Sequence, residues 1–313
     1  MEKFSQTVKE EIMRGELGRW LHCQQAELAA IIHIAGSIHI AGQGKLSLSI
    51  STESAAVARR TVKLLKAAFN LESEIRVEVL ERLGKLHRYN ILLAPQKGLY
   101  NLLYGLGVIT PEHMLETDIH PSLVKKECCR AAFLKGSFLA GGSITDPQKK
   151  TYHLELVAHN EAHANSLAYL MNLAGVKAKI SKRKESYIVY LKDSGAIARF
   201  LSIVGAHTAV IKLEEVKVIK GLRGNVNRLV NCETANLGKS VSAAMEQVEM
   251  ITALLQSPKA ASLPEKLRDT AAIRLAHPEV NLKELGELHL PPISKSAVNH
   301  RLRLIREYCK ELT

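Results

Sequence analysis

Two apolar segments constrain this chain more than any other feature, because they end alike. The first reads Leu28-Ala29-Ala30-Ile31-Ile32-His33-Ile34-Ala35-Gly36-Ser37-Ile38. The second reads Leu134-Lys135-Gly136-Ser137-Phe138-Leu139-Ala140-Gly141-Gly142-Ser143-Ile144. Each has the pattern of a helix that stops at glycine and continues as a strand. One copy alone would read as an ordinary core helix. Two copies, with small residues at three- and four-residue spacing (Ala29 and Ala30, Gly136, Ala140), predict two helices packed backbone against backbone.

The surroundings repeat in the same order. Residues 1–20 read as a short polar helix with Phe4, Val8 and Ile12 on one face. After the first apolar helix come two strands around Gly42-Gln43-Gly44 and a helix over 55–69 that Thr52 could cap. A second hairpin turning near Gly84 and a short helix over 96–107 follow. After the second apolar helix come a hairpin turning at Asp146-Pro147, a helix stopped by Gly175, another hairpin and a closing helix. Repeats of about 100 residues indicate an internal pseudo-dimer, since solenoid units are shorter.

Charge suggests the partner. The formal net charge is +12 and hydrophobic residues make up 46%. The first biases the chain toward polyanions. The second is enough for a sizeable core. Aromatics at 4% argue against stacking of single-stranded bases. No membrane span or secretory signal is expected. Five cysteines without a C-x-x-C pair read as reduced thiols in a cytosol. Cys128-Cys129 is expected in a core or helix flank, Cys232 is expected to be inert, and no metal or cofactor is expected.

The C-terminal fifty residues carry a different pattern. Residues 257–262 read as a linker after a long helix over 241–256. Ser262 and Glu265 have capping-box spacing, with Pro264 in the first turn. Leu267, Ala271 and Leu275 mark one helix. Leu282, Leu285 and Leu288 mark a second, over 281–289. Pro291-Pro292 break the chain, and Ser294 can cap a third helix reaching about Leu312.

Three short helices with a tight second turn predict a helix-turn-helix. On the third, Val298, Leu302 and Ile305 face the core. Ser296, Asn299, His300 and Arg303 face away, where they could meet base edges. Lys295, Arg301 and Arg306 flank the stripe and suit phosphates. A solvated helix on a small bundle is the plainer alternative.

Two further basic sites stand out. Lys182-Arg183-Lys184 falls at a predicted hairpin tip, as a solvated turn or a phosphate contact. The stretch 211–240 is basic and holds Asn225, Asn227, Asn231 and Asn236. With Arg228, the asparagines could form a hydrogen-bonded hinge or touch a nucleic-acid backbone.

The paired segments resemble the LAGLIDADG homing-endonuclease fold. That resemblance implies an acid near the end of each motif helix, holding catalytic metal ions. Here the matching residues are Ala35 and Gly141, which cannot ligate a hard cation. Glu27 lies too early, and Asp146 lies on the hairpin. The scaffold is expected without the chemistry, so the chain is expected not to be an enzyme.

Together with the 225–240 and 291–303 stretches, the pattern resembles the WhiA family of bacterial proteins. The resemblance implies a cytoplasmic, nucleoid-associated protein that binds double-stranded DNA. It also implies roles in cell division, chromosome segregation and, in spore formers, sporulation gene control. The front domain would then be a regulatory platform or bind a protein partner. An architectural, partner-binding protein with non-specific DNA binding and a site-specific homing endonuclease are the alternatives carried forward.

The expected fold class is α+β, with a pseudo-dimeric LAGLIDADG-like domain before an all-α helix-turn-helix domain. The expected organisation is a helix over 1–20, repeats over 21–108 and 109–207, a basic Asn-rich segment and linker helix over 208–261, and the helix-turn-helix domain over 262–313.

Overall fold

A computed structural model describes residues 3–41, 45–80, 86–112 and 114–310. The turns expected at Gly42-Gln43-Gly44 and near Gly84 lie outside them. The chain forms two compact units, Met1–Ile219 and Lys220–Thr313.

The first unit opens with α1 (Lys3–Arg14), whose Phe4, Val8 and Ile12 are buried as their spacing requires. The first repeat follows as α2 (Leu21–Ala35), β1 (Gly36–Ala41), β2 (Lys45–Thr52), α3 (Ala55–Phe69), β3 (Glu74–Leu80), β4 (Leu86–Leu93) and α4 (Leu99–Gly105). The second is α5 (Glu127–Gly141), β5 (Gly142–Ile144), β6 (Leu154–Ala158), α6 (Glu161–Leu173), β7 (Lys179–Arg183), β8 (Ser186–Leu191) and α7 (Ser194–Val204). The two expected hairpins of each repeat join into one antiparallel sheet, ordered β1-β2-β4-β3 and β5-β6-β8-β7. Gly36 pairs with Ile50, and Gly142 pairs with Leu156.

The helices α2 and α5 form the central contact of this unit. A Cβ on Gly136 would overlap the Glu27 carbonyl oxygen and lie 2.9 Å from Ala30 Cβ. No larger residue lets the backbones approach so closely. Both helices leave through a glycine in the same conformation, φ −87° with ψ 147° at Gly36 and ψ 148° at Gly142. This backbone is open to any residue. Glycine is needed because a Cβ would strike Ile32 in one copy and Phe138 in the other. One core, running from Phe4 to Leu213, unites both repeats.

The caps differ from expectation at two places. Ser54, not Thr52, caps α3 by accepting from Val57 N, while Thr52 Oγ1 accepts from Ser54 N. Thr52 remains in β2, two residues before the cap position. Ser262 does not build a capping box with Glu265. Its hydroxyl donates to Lys259 O inside a short 3-10 turn, Pro258–Ser262.

The Asn-rich stretch is helical throughout. It belongs to α8 (His207–Leu255), one helix of 49 residues. No proline interrupts it before Pro258. Gly221, Gly224 and Gly238 cost only about 1 kcal/mol each against alanine. Glu11 caps its start, accepting from Thr208 N at 2.6 Å and Ala209 N at 3.0 Å.

The second unit packs α9 (Glu265–Ala276), α10 (Leu282–Glu287) and α11 (Lys295–Lys310) against the end of α8. Its core is Ile251, Leu254, Leu263, Leu267, Ala271, Leu285, Val298, Leu302 and Ile305. No helix among the described residues is long and apolar enough to cross a membrane.

Candidate nucleic-acid interface

The sequence pointed to two places, the ends of the paired helices and the third helix of the C-terminal unit. At the first, neither matching helix end carries a carboxylate. Ala35 and Gly141 occupy the matching ends of α2 and α5. A Cβ on Gly141 would lie 2.7 Å from Ile34 Cγ2, so even alanine there displaces its neighbour. The Ile34 carbonyl accepts from His159 Nε2 at 2.8 Å.

A cavity of about 530 Å³ beside Gly141 and Gly142 is lined by Lys9, Arg88 and Glu53. Lys9 is buried and lies 5.8 Å from the centre of the Phe138 ring. Burial lowers its pKa to about 8, against the opposing pull of Glu53. A cation thus stands beside the position where a metal-binding acid would be required.

Glu27 is committed elsewhere. It is sealed in the core, and the Arg60 guanidinium binds both of its carboxylate oxygens. Asp146 caps a surface turn by accepting from Gln148 N at 2.9 Å.

In the second unit, α10 and α11 make the tight pair. Asn281 Oδ1 accepts from Lys283 N and Glu284 N, and Glu284 Oε2 accepts from Asn281 N at 3.1 Å. The capping box expected on α9 is therefore found on α10. Ile293 N donates to Gly286 O at 3.0 Å. A side chain at Gly286 would overlap the Ile293 carbonyl, so glycine allows the turn to fold back on α10.

Two buried polar residues hold this arrangement. His289 bridges Leu285 O and Thr270 Oγ1, each at 2.9 Å. Arg274 donates to Val280 O at 2.8 Å and more weakly to His277 O and Pro278 O. Its pKa is lowered by burial, with Glu279 pulling the other way. Neither residue was singled out from sequence. A buried arginine in an otherwise amphipathic stripe leaves no clear periodic signal.

Along α11, Val298, Leu302 and Ile305 are buried, as expected. Ser294 caps the helix, accepting from Ala297 N at 3.2 Å, and its hydroxyl meets Ser296 Oγ at 2.8 Å. Lys295, Ser296, Asn299, His300 and Arg303 are exposed on the outer side. Lys295, Asn299, His300 and Arg303 make no side-chain hydrogen bond to any described residue.

Arg301 differs from that group. It is half-buried and donates to Lys266 O at 3.4 Å and Thr270 Oγ1 at 3.3 Å, so it ties α11 to α9. Arg306 is exposed and reaches Glu246 at 3.4 Å.

The remaining basic candidates lie apart from α11 in sequence. Lys182 and Arg183 end β7, and Lys184 takes the turn with φ 56°. All three are exposed; Lys182 lies 5.8 Å from the Tyr187 ring centre, and Arg183 lies 3.9 Å from Glu155. Arg228, Asn231 and Asn236 are exposed on α8. Arg228 donates to Asn225, and Asn236 donates to Cys232 Sγ at 3.7 Å.

Among the described residues, the metal-ligating side chains that the fold gathers are His22, Cys23, Cys128 and Cys129. They lie at the N-terminal ends of α2 and α5. Burial first, then Cys128 and Cys129, pushes the Cys23 thiol up to about 12, and burial raises Cys129 as well. Neither is a poised thiolate nucleophile.

Comparison with known proteins agrees with this architecture. Residues 21–109 match the model for the WhiA N-terminal LAGLIDADG-like domain. Residues 130–223 match the WhiA LAGLIDADG-like domain, and residues 226–309 match the WhiA C-terminal HTH domain. The chain is 45% identical to a "Probable cell division protein WhiA" of Heliobacterium modesticaldum, over 96% of this chain and 93% of that one. It is 44% identical to the protein of that name in Desulforamulus reducens, over 99% and 96%. The fold resembles full-length DUF199/WhiA from Thermatoga maritima, with a TM-score of 0.61, 24% identity and 99% of both chains covered. It also resembles the separate N-terminal LAGLIDADG domain of DUF199/WhiA, with a TM-score of 0.52, 23% identity and 66% of this chain and 91% of that chain covered.

Proposed function

Because the chain belongs to the WhiA family, we propose that it is a sequence-specific DNA-binding regulator of bacterial cell division without nuclease activity. The outer side of α11 carries this reading. It presents Ser296, Asn299, His300 and Arg303, with Lys295 and Arg306 on its flanks. Between 294 and 310 there are five lysines and arginines against one acid. Asparagine and arginine in the first turns of a recognition helix can bond base edges bidentately. The basic flanks suit phosphates and fix the register.

Arg301 belongs to the same basic flank as a phosphate contact, and its Nη1 also bonds α9. The turn Lys182-Arg183-Lys184 supplies phosphate contacts from the first unit, and Arg228, Asn231 and Asn236 are held as backbone contacts along α8. The absence of acids at Ala35 and Gly141, together with Lys9 beside Gly141, supports a retired nuclease scaffold. That scaffold is left free to receive a protein partner.

The functional division follows 21–108 and 109–207 for the scaffold and 262–313 for DNA reading. Roles in chromosome segregation and sporulation, and residence at the nucleoid, belong to the same reading.

The test is footprinting of the full chain on fragmented genomic DNA with Mg²⁺ present. Discrete protected sites in uncut DNA support the reading. Uniform protection supports an architectural role instead. Metal-dependent cleavage contradicts the absence of nuclease activity.

A further inference from the structure

We propose that His22, Cys23, Cys128 and Cys129 form a structural zinc site that clasps the N-terminal ends of α2 and α5. The four ligand atoms lie within 4.8 Å of one another. His22 Nδ1 is 3.2 Å from Cys129 Sγ and 3.3 Å from Cys23 Sγ. A zinc ion with three sulfurs near 2.3 Å and one nitrogen near 2.0 Å has ligand–ligand edges of about 3.5–3.8 Å. The side chains need only small shifts to take that geometry.

The internal symmetry explains why four such residues meet. The register that places Ala35 on Gly141 also places His22 on Cys128 and Cys23 on Cys129. Each pair occupies the second and third positions of its helix, after Trp20 and Lys126. The paired helices bring the two copies together, although His22 and Cys129 are 107 residues apart. Every ligand therefore comes from a helix, and a half-site comes from each repeat.

The donor set selects the metal. Three thiolates and an imidazole favour zinc over hard cations. On binding, each thiol gives its proton to solvent and its sulfur bonds the metal. Two helix N-termini converge on the site and favour the resulting negative charge. The His22 ring is parallel to Trp20 within 9°, at 6.3 Å, and its Nδ1 faces the thiols. Cys23 and Cys129 are buried, while Cys128 opens to solvent and provides an entry path. Four protein ligands close the coordination sphere, so the site is structural rather than catalytic.

The test uses the full chain, purified under reducing conditions and passed through metal-free buffer. Elemental analysis should find one zinc per chain. Replacement by Co²⁺ should give the intense visible bands of tetrahedral cobalt and a thiolate charge-transfer band. Cys128→Ser is exposed and His22→Ala is half-buried, so both variants are suited to folding checks by circular dichroism. Each should weaken cobalt binding by more than about a hundredfold, beyond the roughly 10- to 100-fold typical of outer-shell partners. Octahedral cobalt spectra in the unaltered protein would overturn the proposal. So would unchanged binding in both variants, or a disulfide among Cys23, Cys128 and Cys129 in the isolated protein that excludes cobalt.

Discussion

Arg60 and Glu27 form an ion pair inside the first unit, with side chains 4% and 1% exposed. Arg60 also donates to Gly15 O at 2.9 Å and Glu16 O at 3.3 Å, so it pins the loop before α2 to α3. Removing either partner leaves the other charge buried. Arg60→Ala should therefore destabilise the protein by about 3–5 kcal/mol in chemical denaturation. A loss below about 1 kcal/mol would mean that water reaches the pair.

The close approach of α2 and α5 gives a contrast between glycines. Gly136→Ala forces a methyl group onto the Glu27 carbonyl and should cost about 1–3 kcal/mol or more. Gly221→Ala on α8 meets nothing within 4 Å and should stabilise by about 0.5–1 kcal/mol through helix propensity. Thermal melts of the two variants should move in opposite directions. Equal shifts would contradict the backbone contact.

Acid should weaken the first unit through His163. This side chain is buried, its Nε2 makes no hydrogen bond to a described residue, and its ring meets His33 edge-on at 5.6 Å. Burial first, then His33, lowers its pKa to about 4; Asp118 opposes the shift. The unfolded chain thus binds the proton more readily than the folded one between about 6.5 and 4. Stability is full above that window and is lost as pH falls through it. The loss at pH 5 should be about 2 kcal/mol. His163→Phe should flatten the pH profile of the melting temperature. An unchanged profile would place the acid sensitivity elsewhere.

Restoring acids at the ends of the motif helices should not restore cleavage. Ala35→Asp with Gly141→Asp has to displace Ile34 and stand beside Lys9. The expected outcome is a less stable protein with no Mg²⁺-dependent nicking of supercoiled DNA. Nicking by this variant would show that only the two carboxylates had been lost.

The repeat was legible because each copy writes its helix exit into consecutive residues, and glycine at 36 and 142 answers a local steric demand. The core stripe of α11 was legible for the same reason, since period alone sets it. What failed depends on neighbours distant in sequence. The bonds from Arg301 to Lys266 O and Thr270 Oγ1 on α9 left no mark in the sequence. The capping box belonged to Asn281, while Ser262 turned back into its own loop. The Asn-rich stretch looked like a break because composition hid an uninterrupted helix. The gathered thiols were missed because no short spacing links Cys23 to Cys128. Only the register between repeats does.

The outer side of α11 is proposed to read base sequence. Its most direct measurement is a binding titration of full-length Arg303→Ala on a footprinted site and on random DNA, at several salt concentrations. Arg303→Ala should lose about 1–3 kcal/mol on the specific site and relax the preference at one base pair. The triple change Lys182→Ala, Arg183→Ala, Lys184→Ala should instead lower affinity for both DNAs and reduce the salt slope. Equal affinity and unchanged site preference for Arg303→Ala would mean that this face of α11 does not read bases through Arg303.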